Sequence, residues 1–134
     1  MNVYELSCKA LTMAGTWVEG LVQLKVVDDE IVPTIGGQRI QEKTLCRFVG
    51  RNDGTFRKVY EGDIFMYDHE DYGLIPAVVL WDDERLAYVF EMSYVTSSGE
   101  VYVLDRRLLA DTELAYTDVI GNVHSTPEKR YWVA

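Results

Sequence analysis

No part of this chain of 134 residues runs far before a turn signal interrupts it, and between the signals apolar residues recur at every second position. Period two belongs to a strand with one face buried. From Trp17 to Val27, Val18, Val22, Leu24 and Val26 share one parity while Glu19, Gln23 and Lys25 interrupt. That pattern fits a half-buried strand, with Gly20 marking a bend. Glu30 to Val32, closed by Pro33, and Arg39 to Gln41, after the Gly36-Gly37 turn, read as further strands, followed by Leu45 to Val49. The Asn52-Asp53-Gly54 cluster supplies residues that tolerate positive φ, so the chain is expected to reverse there.

Beyond that reversal come Phe56 to Tyr60 and Ile64 to Tyr67, then an acidic loop, Asp68-His69-Glu70-Asp71, ending at Gly73. Ile75 to Trp81 and Leu86 to Met92 are β-branched and aromatic runs separated by Asp82-Asp83-Glu84-Arg85, a hairpin pattern. Val95 and Val101 to Leu104 flank a second hairpin loop, Thr96 to Glu100. Arg106 to Leu114 reads as the one helical turn, with Asp105 as its N-cap. Asp118 to Val123 is the last strand before a tail containing Tyr131-Trp132.

About nine short strands and almost no helix predict a mainly β fold: a small barrel or sandwich-like domain of short antiparallel strands with at most one short helix. The length sits near the mode of domain sizes. Residues 1–134 are therefore expected to form a single domain, with an N-terminal β segment (1–42) packed on or continuous with a β-barrel-like core (43–134). The 3 Trp, 9 Tyr and 4 Phe suffice to fill such a core and cover its mouth.

Charge excludes one class of function. Thirteen Lys and Arg against 22 Asp and Glu give a net charge of -9, the wrong sign for a phosphate backbone, and the basic residues form only isolated pairs such as Arg57-Lys58 and Arg106-Arg107. No direct nucleic-acid binding is expected. Cys8 and Cys46 are 38 positions apart and outside any paired framework, so both read as free thiols, Cys46 as a buried one. Met1 to Glu5 has neither a basic n-region nor an apolar h-region, and no apolar run reaches the length of a membrane span. A cytoplasmic protein without membrane contact is the expectation.

Two segments are more specific. Phe48-Val49-Gly50, Asp53-Gly54 and Val59-Tyr60-Glu61-Gly62-Asp63-Ile64, followed by Val119-Ile120-Gly121-Asn122-Val123 and Thr126-Pro127-Glu128, resemble in order and spacing the central and closing signatures of the YopX family of phage and prophage proteins. Gly15-Thr16-Trp17-Val18-Glu19-Gly20, Ile31-Val32-Pro33 and Lys43-Thr44-Leu45 resemble one large branch of that family. The chain departs from it at Val49-Gly50, where Thr-Gly is usual, and in the lengthened turn Asp53 to Lys58. The resemblance implies a small, mainly β protein encoded by a phage, a prophage or a mobile element in a bacterial genome, and it brings no biochemical activity with it.

The signature residues Gly50, Tyr60, Glu61, Gly62, Asp63, Ile64, Ile120, Gly121, Asn122 and Pro127 read as structural. Gly62 supplies a backbone angle other residues resist, Asp63 caps a turn, and Tyr60 and Ile64 anchor in the core. The competing reading makes Glu61 and Asp63 a carboxylate pair on one strand face, able to bind a cation or act as acid and base. Asp68 to Asp71, with His124 the only other histidine, lacks the spacing of a transition-metal site and reads as a solvated loop, and Asp82-Asp83-Glu84 as a hairpin tip. Ser97 and Ser98 have no nearby histidine, and phosphate-binding and dinucleotide fingerprints are absent. Tyr60, Tyr67, Tyr72, Trp81, Tyr88 and Phe90 form a base-stacking platform only if a basic groove surrounds them; core and rim packing is the simpler reading.

The function expected from these readings is that of an accessory protein that binds another macromolecule, a protein partner first, without catalytic residues, cofactor or metal. A small hydrolase or nucleic-acid-modifying enzyme using Glu61 and Asp63 is one alternative, and an acidic nucleic-acid mimic that inhibits a host protein is another. Unprotected strand edges add the expectation of a homo-oligomer.

Overall fold

A computed structural model describes residues 7–133, so the stretch Met1 to Glu5 lies outside the described residues. The protein is mainly β, built from antiparallel sheets and a few single 3-10 turns. It divides into two compact units, Met1–Gly50 and Arg51–Ala134.

In the first unit β1 (Cys8–Leu11) pairs antiparallel with β2 (Trp17–Gly20) on one side and with β6 (Cys46–Asn52) on the other. This pairing draws residues 46–50 into the N-terminal unit. Cys8 and Cys46 are both buried, and the Cys46 thiol donates to the Thr44 carbonyl at 3.2 Å. A second sheet is the meander β3 (Val22–Val27), β4 (Glu30–Ile35) and β5 (Gln38–Arg39). Its two-residue turns, Asp28-Asp29 and Gly36-Gly37, have positive φ at both positions, the geometry that matches strand twist in a tight hairpin. Gly20, the last residue of β2, has φ +149°, and the ladder breaks at Leu21, so the run from Trp17 to Val27 is two strands rather than one.

Ala10, Ile35 and Ile40 form a small core here, with Val18 and Val22 packed against it. The alternation through Val22, Leu24 and Val26 is present, but only Val22 at its base is even partly buried. Leu24 and Val26 are 71% and 73% exposed, as is Ile31, at 70%, directly opposite Val26. Pro33 does not close its strand. It stands inside β4 opposite Leu24.

In the second unit β7 (Lys58–Tyr60) is followed by β8 (Asp63–His69), β9 (Gly73–Asp82), β10 (Ala87–Val95), β11 (Val101–Leu108), β12 (Val119–Asn122) and β13 (Trp132–Val133). The large sheet has the order β11-β10-β9-β8-β12, and β13 pairs parallel with the end of β10 through Tyr94↔Trp132 and Val95↔Val133. Its core includes Ile64, Phe65, Ile75, Val79, Phe90 and Met92. Phe90 lies 5.6 Å from Phe65 and 4.9 Å from Tyr67 between ring centroids.

Arg106 to Leu114 is not a helical turn headed by Asp105. Asp105, Arg106 and Arg107 lie within β11, and the helical backbone is confined to single 3-10 turns at Leu109–Asp111 and Leu114–Tyr116. Pairing with β10 through Phe90↔Arg107 and Glu91↔Arg106 overrides the weak local preference of this segment. Two strands separate β8 from β11, which in a flat sheet puts them about 14 Å apart. His69 of β8 nonetheless reaches Asp105 of β11, Nε2 to Oδ2, at 3.2 Å. The two side chains cannot span a flat sheet, so the sheet is curled.

Candidate functional site

The two signature segments meet. β8 and β12 pair with Asn122 opposite Asp63 and Gly121 opposite Ile64, and Ile120 is the residue bulged out between Val119 and Gly121. Gly62 has φ +80°, and a Cβ there would lie 3.1 Å from Val123 Cγ2 and 3.2 Å from Asn122 Nδ2. Its N–H donates to the Val79 carbonyl and its own carbonyl accepts from Val123 N–H. Tyr60, Asp63 and Ile64 are fully buried.

Both Asp63 oxygens are engaged: Oδ2 accepts the Tyr60 N–H at 2.8 Å, and Oδ1 accepts from Asn122 Nδ2 at 2.9 Å. Asn122 Nδ2 also reaches the Glu61 carbonyl at 3.4 Å, while its Oδ1 accepts the His124 N–H. Thr126 closes the far side, where its Oγ1 accepts the Asn122 N–H and donates to the Asn122 carbonyl. A Cβ on Gly121 would sit 2.0 Å from that hydroxyl oxygen. Pro127 is exposed and opens the 3-10 turn Pro127–Lys129. Gly50 has φ +85° with open space beside its Cα. An aspartate with both oxygens committed to buried donors, and with Glu61 only half-buried beside it, has the geometry of a strand junction.

Asp53 was singled out in the sequence only as a turn former, yet it is a buried acceptor. Oδ1 takes the Thr55 N–H, the Thr55 hydroxyl and the Arg57 N–H at 2.7 to 3.0 Å, and Oδ2 takes the Val119 N–H at 3.0 Å. Burial pushes its carboxyl up, but these donors outweigh burial and hold it below the ordinary aspartate value. The positive φ of this turn falls on Phe56, at +64°, and not on the Asn-Asp-Gly cluster. Gly54 is required for close approach instead, since a Cβ there would lie 2.7 Å from the Ala115 carbonyl oxygen.

His69 is buried, at the end of β8, because the strand continues two residues beyond Tyr67; it does not stand in a solvated loop. The Asp71 N–H donates to Nδ1 at 3.0 Å, which leaves Nε2 to carry the proton toward Asp105 Oδ2. Both ring nitrogens are thus committed, and neither is available as a general base. His69, Glu70 and Asp105 form the one group among the described residues with metal-ligand chemistry in range, one ligand atom of each lying within 4.8 Å of the others. A cation already stands among them. Arg107 Nη2 lies 2.8 Å from Asp105 Oδ2 and 3.2 Å from His69 Nε2 and bonds to Glu70, while Nη1 donates to the Tyr67 hydroxyl. The Arg107 contact holds the Glu70 carboxyl low. At Asp105 burial raises the carboxyl, and the Arg107 and His69 hydrogen bonds overcome it to give a lowered value.

Aromatic rings extend from this cluster along one side of the sheet. His69 lies 5.0 Å from Tyr72, Tyr72 5.4 Å from Trp132, Trp132 6.4 Å from Tyr94, and Tyr94 stacks on Tyr102 at 5.4 Å. The register explains the row: Tyr94 is directly opposite Trp132 on one side and Tyr102 on the other. Tyr72 and Tyr102 are 44% and 46% exposed. The six aromatics named from the sequence do not form one platform. Tyr60 and Phe90 are core residues, Trp81 pairs edge to face with Tyr88, and only Tyr72 belongs to the row. Tyr94 and Tyr102 face each other across the β10–β11 hairpin, whereas Trp132 joins them only through strand pairing across nearly 40 residues.

Curled antiparallel strands with a buried Asp63–Asn122 junction define a small, mainly β domain class. Within that class, the family model described as YopX protein matches residues 15–129, and the chain belongs to the YopX family. No curated protein and no solved structure matches the chain. Among the described residues no helix is long and apolar enough to cross a membrane.

Proposed function

We propose that this protein is a phage- or prophage-encoded accessory protein that works in the cytoplasm of the bacterial host by binding another protein, without chemistry of its own. The observation that carries the reading is the row Tyr72, Trp132, Tyr94 and Tyr102, exposed at Tyr72 and Tyr102 and half-buried at Trp132 and Tyr94, backed by the Arg107 ion cluster. Tyrosine and tryptophan offer large, rigid contact area with a polar tip and dominate the energetics of protein interfaces. Ordering such a row before the partner arrives lowers the entropic cost of association. The phage setting rests on the family resemblance. The carboxylate-pair alternative is disfavoured by Asp63, whose two oxygens are already used inside the fold.

Affinity capture from lysate of the host bacterium, with tagged wild-type protein beside a Tyr72→Ala, Trp132→Ala double variant, tests the reading. The expected result is a specific protein retained by the wild type and lost, at unchanged thermal stability, by the variant. A partner held equally by both proteins would move the interface elsewhere, and the absence of any retained protein would overturn the proposal.

A further inference from the structure

The edge of the N-terminal meander points to a second partner surface. Among the described residues β3 is the outer strand of the order β3-β4-β5, and its apolar residues Leu24, Val26 and Val27 are 71%, 73% and 43% exposed, with Leu21 just before it at 43%. The backbone groups of this edge can be assigned. A two-residue turn makes its flanking residues, Val27 and Glu30, a hydrogen-bonded pair, and the alternation of an antiparallel ladder then directs the N–H and C=O of Lys25 and Gln23 toward β4 as well. Those of Val22, Leu24 and Val26 face outward. Pro33 corroborates the assignment independently: it lacks an N–H, so inside β4 it can stand only where its nitrogen faces away from β3, which makes its opposite residue, Leu24, outward-bonding.

We propose that β3 pairs antiparallel with β3 of a second copy of this chain, about a twofold axis through Leu24. The side chains select this register. With Leu24 on the axis, Val22 faces Val26 of the second copy, Leu21 faces Val27, and Gln23 faces Lys25, so every exposed apolar residue of the edge meets an apolar one. Moving the axis to Lys25 sets two ammonium groups opposite each other, which is destabilising. Placing it between Leu24 and Lys25 puts the apolar residues of one copy against the polar ones of the other, and moving it to Gln23 leaves Val26 opposite Gly20. The pairing is isologous, so it closes as a dimer and the exposed edge disappears. A strand of this length, about 20 Å, buries less than a standard interface of roughly 800 Å² per partner, so the dimer is a weak, reversible one.

Sedimentation velocity between about 1 and 200 μM should show a concentration-dependent monomer–dimer equilibrium for the whole chain. Leu24→Pro removes an amide that bonds nothing among the described residues, and should abolish the dimer while leaving the far-UV circular dichroism unchanged. Leu24→Cys supplies a readout that survives misfolding of the proline variant. Cα atoms of an antiparallel hydrogen-bonded pair lie about 5.5 Å apart, within disulfide reach. Leu24→Cys should therefore cross-link on mild oxidation at least ten times faster than Lys25→Cys, read on non-reducing gels. A monomer across the whole concentration range, a Leu24→Pro dimer of undiminished affinity, or equal cross-linking of the two cysteine variants would each overturn the proposal.

Discussion

Asp53 offers the sharpest test of how this fold is held. Its carboxylate accepts four hydrogen bonds, three from its own turn and one from Val119, 66 residues away. A hydrogen bond to a charged group contributes about 1.5–3 kcal/mol net, and exposed donors recover most of their loss by hydration. Thr55 and Arg57 are exposed, so their three bonds together are worth about 1–1.5 kcal/mol, whereas Val119 is half-buried and its lone donor accounts for about 2 more. Asp53→Ala should thus cost about 3 kcal/mol. Asp53→Asn, which keeps one acceptor oxygen but turns an NH2 group on one set of donors, should cost about 1–2 kcal/mol. Urea denaturation at neutral pH measures both. The pH profile carries the same information: the folded-state carboxyl lies below its unfolded value near 4, so its contribution is complete above about pH 5 and is lost as pH falls through the lowered value. Wild-type stability should fall more steeply than that of Asp53→Asn over this window. If Asp53→Ala costs less than about 1 kcal/mol, or the two profiles run parallel, the carboxylate is not what holds residues 53–57 to β12.

Other consequences are equally direct. Asp63→Ala strands the buried Tyr60 N–H and the Asn122 amide and should cost about 3 kcal/mol by urea denaturation, more than Glu61→Ala; a stabilised Asp63→Ala protein would return Glu61 and Asp63 to consideration as a functional pair. Gly62→Val adds positive-φ strain to close contacts with Val123 and Asn122 and should cost about 2–3 kcal/mol. Gly121→Ala forces the Thr126 hydroxyl from its bonds to Asn122, and in combination with Thr126→Ala should cost less than the sum of the two single substitutions, a coupling read by a double-mutant cycle. Arg107→Ala empties the centre of the His69, Glu70 and Asp105 group, so added zinc should raise the melting temperature of that variant and leave the wild type unmoved; an equal shift in both would refute the view that the guanidinium takes the place of an ion.

Local patterns in the amino-acid sequence were sufficient for the class of fold, the positions of most strands and the hairpins at 82–86 and 96–100, because a two-residue period and a turn residue act over a few positions. The signatures around Gly62 and Gly121 were legible as motifs, and the positive φ of Gly62 followed from its residue type. That Asp63 and Asn122 bond to each other depended on β8 and β12 pairing across 59 residues. Distance along the chain also hid the rest. Asp105 and Arg107 read as the start of a helix because their partners, Tyr67, His69 and Glu70, stand 36 to 40 residues away and come within reach only when the sheet curls. Leu24 and Val26 show the converse. Their alternation signals an apolar strand face with complete clarity, but whether such a face is covered depends on which elements pack over it, and in this protein the tertiary structure covers Val22 and Ile35 and leaves Leu24, Val26 and Ile31 in solvent. Periodicity is a property of one strand, whereas burial is a property of its neighbours, and only the assembled chain determines those.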